Sequence, residues 1–134
     1  MFSFEHNLHL FSLLGNHSLT QYPDHMHATI NGKPGDIFNE EWIKTTFIPK
    51  VQKRGGEVLG LRQNPSVMSA AIAIRDHMVS WMNGTPEGEF VSMGVYTDGS
   101  FYDIPADYVF SVPVKCKNFE YEVVKDLDLS EYAK

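Results

Sequence analysis

Between residues 108 and 123 the side chains alternate with a period of two. Tyr108, Phe110, Val112, Val114 and Cys116 fall on one side of an extended chain. Val109, Ser111, Pro113 and Lys115 fall on the other. Lys117-Asn118 supplies a tight reversal, and Phe119, Tyr121 and Val123 alternate in the returning segment. No other pattern in the chain restricts the fold as much: it calls for antiparallel strands with one face on a core. Val91, Met93 and Val95 share one face of a further strand over residues 90–96. Pro113 has no N–H for a ladder, so its strand is expected at a sheet edge or with a bulge.

Upstream, the period changes to that of a helix. Asn39 is placed to cap one, with Glu40 and Glu41 beside its positive dipole end. Ile43, Phe47 and Val51 form its apolar stripe. Pro49 is expected to kink it, and Gly55-Gly56 is a second weak point. A second helix has Asn64 or Ser66 as its cap and Asn83-Gly84 as its end. Val67, Ala71, Ile74, Met78 and Trp81 make its expected buried face, and Ser69, Ala73, Asp76 and Ser80 lie on another. Near the N-terminus, residues 8–14 read as an apolar strand ending at Gly15-Asn16. Tyr22-Pro23-Asp24 reads as a turn, and residues 25–30 as a short strand closed by Asn31-Gly32. Strands packed on a few helices make an α+β domain.

With 134 residues, the chain has the length of a single domain. A formal charge of −6 and the lack of a basic cluster argue against nucleic acid and membrane surfaces as partners. A lone cysteine, Cys116, excludes an internal disulfide framework and favours a reducing compartment; it falls on the buried face of its strand as a core thiol. No apolar run is long enough to span a membrane, and the first residues lack the basic region of a signal peptide. The expected location is the cytoplasm.

The histidines His6, His9, His17, His25, His27 and His77 are the candidates for chemistry. On a strand, His25 and His27 would share a face beside Asp24. That suits a metal, but no third ligand has a recognisable spacing, and solvated strand histidines are the favoured reading, with no metal expected. His77 reads as structural or exposed. The Asp126–Asp128 segment lacks the glycine and spacing of a calcium loop. His17 stands apart. It follows an apolar strand in Gly15-Asn16-His17-Ser18, where a rigid scaffold presents a polar turn, and imidazole exchanges protons near neutral pH. No glycine-rich dinucleotide or nucleotide fingerprint occurs.

The run Gly15-Asn16-His17-Ser18-Leu19-Thr20-Gln21-Tyr22-Pro23-Asp24 resembles the catalytic-histidine motif of NAD-dependent malate dehydrogenases of the cytosolic type, in the lactate/malate dehydrogenase family. The similarity continues through Val51-Gln52-Lys53-Arg54-Gly55 and Met68-Ser69-Ala70-Ala71. It is most specific at Gly84-Thr85-Pro86-Glu87-Gly88-Glu89-Phe90-Val91-Ser92-Met93-Gly94-Val95, followed by Asp98-Gly99.

The resemblance implies the antiparallel, helix-packed C-terminal catalytic domain of that family over residues 15–134, behind a divergent segment, residues 1–14. It implies His17 as the proton acceptor and donor for malate and oxaloacetate, and Ser69 as a residue of the substrate and nicotinamide pocket. It implies NAD as cofactor and a homodimer as the assembly. The family's Rossmann domain, its substrate arginines, the aspartate that pairs with the histidine and the long C-terminal helix have no counterpart here. The isolated chain is therefore expected to be inactive, with exposed apolar surface at Trp42, Phe47 and Trp81. Two alternatives from other classes are a non-enzymatic truncated subunit that binds full-length malate dehydrogenase, and a metal-binding module at His25 and His27.

Overall fold

A computed structural model describes residues 8–9, 12–34, 38–130 and 133. The N-terminal part holds five short strands: β1 (Leu8–His9), β2 (Ser12–Leu14), β3 (Tyr22–Asp24), β4 (Thr29–Ile30) and β5 (Lys33–Pro34). Helices α1 (Glu40–Trp42), α2 (Ile48–Arg62) and α3 (Met68–Asn83) follow. Strands β6 (Val91–Tyr96), β7 (Val109–Lys117) and β8 (Glu120–Val123) complete the described elements. The sheets are β1-β4-β5, β2-β3 and β6-β7-β8, and every strand pairing is antiparallel. His6 lies outside the described residues.

The alternation between residues 108 and 123 becomes the β7–β8 hairpin, with Lys117 opposite Glu120 across Asn118-Phe119. Both turn residues have positive φ, the geometry whose twist matches the flanking strands. The inward face carries the core: Met93 and Val95 of β6, Val112, Val114 and Cys116 of β7, and Phe101. Cys116 Sγ lies 3.7 Å from Met93 Sδ, and burial pushes the thiol pKa up. A second cluster, Leu14, Tyr22, Ile43 and Ile48, joins β2 and β3 to the start of the helices.

Pro113 does not lie on an edge strand or at a bulge. Strand β7 is the middle of its sheet, and Pro113 pairs in register with Ser92. A residue in an antiparallel strand points its N–H and C=O to the same neighbour. The Pro113 carbonyl accepts the Val124 N–H at 2.9 Å, so its missing donor faces the β8 side, just past the end of that strand. The Val124 carbonyl, which that donor would have served, accepts the Tyr102 hydroxyl instead.

Asn39 caps as expected, its Oδ1 accepting the Trp42 N–H at 2.9 Å. The kink expected from Pro49 takes another form. Residues Ile43–Phe47 form a π-helical turn, with the Ile48 N–H bonded to the Ile43 carbonyl, directly ahead of the proline. The widened turn comes where the ring would press on the carbonyl of Thr45. Gly55-Gly56 does not interrupt α2, which runs to Arg62. Its end is set by Gln63 at φ 55, with Gln63 Nε2 on the Gly60 carbonyl at 2.7 Å.

Neither Asn64 nor Ser66 caps α3. Its first turn follows Val67 without a side-chain cap, while Asn64 Nδ2 reaches back to the Arg62 carbonyl at 3.5 Å. Gly84 closes the helix, its N–H on the Ser80 carbonyl at 3.0 Å. The expected buried face of α3 is not buried: Val67 is 58%, Ile74 66% and Met78 40% exposed. Met68, Ile72, Val79 and Met82 are exposed as well. An apolar stripe identifies a face that requires a cover, and among the described residues Trp81 alone of the expected face is half-buried. Its Nε1 donates to the Phe119 carbonyl at 2.7 Å, and the two rings meet edge to face. Trp42 is exposed, whereas Phe47 and Trp81 are half-buried.

Candidate active site

His17 sits in the connection between β2 and β3, and four contacts outside the loop fix that segment. Gly15 and Ser111 exchange both backbone hydrogen bonds, at 3.2 and 3.0 Å, so the end of β2 joins β7. Ser111 Oγ donates to the Leu13 carbonyl at 2.6 Å. The Leu13 N–H donates to Ser92 Oγ of β6 at 2.9 Å. At the far end of the loop, Gln52 Nε2 of α2 donates to the Gln21 carbonyl at 2.9 Å.

Inside the loop, Ser18 organises its neighbours. Its N–H bonds the Asn16 carbonyl at 2.7 Å, and its Oγ accepts the Thr20 N–H at 3.1 Å and meets Thr20 Oγ1 at 2.7 Å. Gly15 begins the turn at φ +98, a conformation that favours glycine. The result is an anchored loop with the His17 side chain exposed to solvent. Among the described residues no group hydrogen-bonds to its imidazole. An imidazole so placed is open to a substrate hydroxyl or carbonyl.

Asp24, the nearest carboxylate in sequence, does not serve His17. It is 3% exposed; Oδ1 accepts the Met26 N–H at 3.1 Å, and Oδ2 lies 2.6 Å from His27 Nδ1. This is an Asx turn with an imidazole added to it. The His27 ring meets Phe90 edge-on, with centroids 6.4 Å apart. Residues 25–28 are not a strand, so the expected same-face pair of histidines does not form. The carboxylate bends the backbone at the point where the strand was expected to start. His25 Nδ1 is buried without a hydrogen-bond partner, and His77 is exposed on α3. Among the described residues no group of three metal-ligating side chains comes together.

Ser69 is the second residue of α3 and is exposed. It stands on a different element from His17, and no hydrogen bond joins the two. A cleft of about 630 Å³ over Tyr96, Phe101, Lys115, Tyr121 and Lys125 includes neither residue. The described residues do not fit a dinucleotide. Their strands pair only antiparallel, and none leads through a glycine-rich loop into a helix whose N-terminus could take a pyrophosphate. The described helices are also too short or too polar to cross a membrane.

Sequence reasoning missed the Asp24–His27 pair and the anchors Ser92, Ser111 and Gln52. The turn Asp24-His25-Met26-His27 carried a local signal for the first, since aspartate commonly bonds the N–H two residues on. The anchors are distant in sequence and carried none.

Comparison with known proteins identifies the family of this fold. Residues 7–134 match the model of the lactate/malate dehydrogenase alpha/beta C-terminal domain. The chain is 46% identical over 134 residues to probable malate dehydrogenase 3 of Dictyostelium discoideum, covering 96% of this chain and 40% of that protein. It is 44% identical over 126 residues to the cytoplasmic malate dehydrogenase of Medicago sativa, covering 90% of this chain and 38% of the relative. Its fold is similar to that of Trichomonas vaginalis lactate dehydrogenase in complex with NADH and oxamate. That similarity has a TM-score of 0.85 at 28% identity, over 95% of this chain and 40% of the other. The chain thus spans about 40% of the length of the curated relatives it matches.

Proposed function

The chain belongs to the lactate/malate dehydrogenase family, as its α/β C-terminal domain, and from that premise we propose that it is the substrate-side, proton-transferring part of an NAD-dependent malate dehydrogenase of the cytoplasm. The reaction is (S)-malate + NAD⁺ to oxaloacetate + NADH and a proton. NAD, when bound, supplies the hydride acceptor; its site is assigned to a cofactor domain outside the described residues. His17 accepts the proton of the malate hydroxyl and returns it in the reverse direction. Ser69 lines the substrate and nicotinamide pocket that α3 completes once the cofactor domain is in place.

The observation that carries this reading is the anchored loop. Gly15–Ser111 and Gln21–Gln52 hold both ends of a segment whose one titratable side chain is the exposed His17. Catalysis by proton transfer needs such fixed placement, and contributes typically ~10²–10⁴-fold. Among the described residues no arginine-based clamp for a dicarboxylate stands at this loop and no dinucleotide site forms, so turnover is proposed to need the cofactor-binding half. The test is complementation. The chain is co-expressed with the cofactor-binding half of a malate dehydrogenase, and oxaloacetate reduction is followed through NADH absorbance. Restored turnover that falls by ~10²–10⁴-fold in His17→Ala supports the assignment; turnover unchanged by the substitution ends it.

A second reading is favoured by one observation, the exposed apolar residues of α3. In it the chain is a non-enzymatic subunit that docks on full-length malate dehydrogenase. Co-purification with the full-length subunit, with no turnover contributed by His17, distinguishes it from the first.

A further inference from the structure

The sequence contains two Asn-Gly steps, Asn31-Gly32 and Asn83-Gly84, and the fold treats them oppositely. Glycine after asparagine leaves the following backbone nitrogen unshielded by a side chain, the condition under which that nitrogen attacks the asparagine side-chain carbonyl. Asn83 ends α3. The Gly84 nitrogen is committed to the Ser80 carbonyl at 3.0 Å, and a Cβ on Gly84 would stand 3.0 Å from the Cys116 carbonyl oxygen. This peptide cannot turn toward the Asn83 side chain without unwinding the last helical turn.

Asn31-Gly32 is the tip of the β4–β5 hairpin. Ile30 pairs with Lys33, and the two tip residues have φ 52 and 74, the signs of a type I′ turn. Both are exposed, and a Cβ on Gly32 would meet nothing within 4 Å. A two-residue hairpin tip has a second form, type II′, reached by rotating the central peptide; its first position favours glycine, so Asn31 enters it as a strained, minor state. In that form the first tip residue keeps positive φ while its ψ swings to about −120°. That rotation brings the Gly32 nitrogen toward Asn31 Cγ without disturbing the strands.

We propose that Asn31 is a site of spontaneous covalent modification, by deamidation through a cyclic imide, and that Asn83 is protected by the fold. The Gly32 nitrogen bonds to Asn31 Cγ, its proton leaves, and the side-chain nitrogen departs as ammonia. Water then opens the ring at either carbonyl, giving aspartate or isoaspartate. The product adds one negative charge at the hairpin tip. In the isoaspartate form it also adds a methylene to the main chain, which the two-residue tip cannot accommodate in register.

The test uses the whole folded chain, held at mildly alkaline pH in heavy-oxygen water, with a second sample in urea, followed by peptide mapping. In the folded sample the Asn31 peptide is expected to take up heavy oxygen at least about tenfold faster than the Asn83 peptide, as a mixture of aspartate and isoaspartate. In urea the two rates converge. Asn31→Gln should abolish the signal at that peptide alone. Equal rates in the folded chain, an intact Asn31 when the urea sample reacts, or aspartate without isoaspartate would each overturn the proposal.

Discussion

The hydroxyl of Tyr102 stands in for the amide that Pro113 lacks: it donates to the Val124 carbonyl at the place where the β7–β8 ladder would otherwise have taken a main-chain bond. Tyr102→Phe should therefore cost about 1 kcal/mol in denaturant unfolding, since it leaves that carbonyl without a donor. In a Pro113→Val background the restored N–H can serve Val124, and the same substitution should cost less than half as much. Equal costs in both backgrounds would refute the substitution of one donor for the other.

The Tyr102 phenol also sets a pH dependence. Burial raises its pKa above the ordinary 10.0. The folded chain then holds a proton that the unfolded chain has released, so this contribution is intact below pH 10.0 and is lost as pH rises beyond it. Tyr102→Phe should flatten the alkaline limb of the stability profile.

Gly15→Ala tests the hinge of the His17 loop. At φ +98 an alanine is strained by ~1–2 kcal/mol. Its Cβ would meet Phe110 Cζ at 3.7 Å, an ordinary contact, so the cost is conformational. Gln52→Ala removes the other anchor, the 2.9 Å bond to Gln21. Both should raise amide exchange in residues 15–21 before any change in the β6–β8 sheet. Simultaneous loss of protection in loop and sheet would count against a locally held loop.

Trp81→Ala should loosen α3. The indole ties the helix to the sheet through the 2.7 Å bond to the Phe119 carbonyl and the edge-on ring contact, beside the 3.0 Å main-chain bond from the Phe119 N–H to the Trp81 carbonyl. The expected loss is about 2–3 kcal/mol, less than for a fully buried indole. Exchange protection across residues 68–83 should fall first; an unchanged helix would show that other contacts hold it.

Cys116 should be silent to alkylating reagents until the chain opens, because it is 4% exposed. Burial lifts its thiol pKa above the ordinary 9.0. Below that value the thiol is protonated in both states and adds no slope. Above it the unfolded chain ionises first, so stability declines with rising pH. Cys116→Ala should remove that part of the decline. Rapid labelling of the folded chain would contradict the buried placement.

How legible the fold was in the sequence depended on the range of the interaction. The alternation of Val91, Met93 and Val95, and that of Val112, Val114 and Cys116, specified strand faces that the structure reproduces, because period-two burial is local; Tyr108, Phe119 and Tyr121 of the expected face are exposed. Asn39 and Gly84 marked helix ends for the same reason. Pro113 misled because its compensation comes from Tyr102, on another segment. The α3 stripe misled in another way: amphipathicity records that a face must be covered, but Ile74 and Met78 find no cover among the described residues. In the candidate site, the residues around His17 carried a recognisable resemblance. Its anchors Ser111 and Gln52 had no local signature, being fixed by contacts across 98 and 31 positions.

That bond from Ser111 to Leu13 has a consequence for the order of assembly. A ribosome releases the His17 segment long before it has made β7, so the loop emerges with half of its scaffold unsynthesised. Closing a contact over such a span is entropically slow and waits for the β6–β7 pairing to exist. The segment that carries the candidate chemistry should be among the last parts of the molecule to acquire its shape. An arrested nascent chain ending before residue 111 should show residues 15–21 unprotected, however well α2 and α3 have formed.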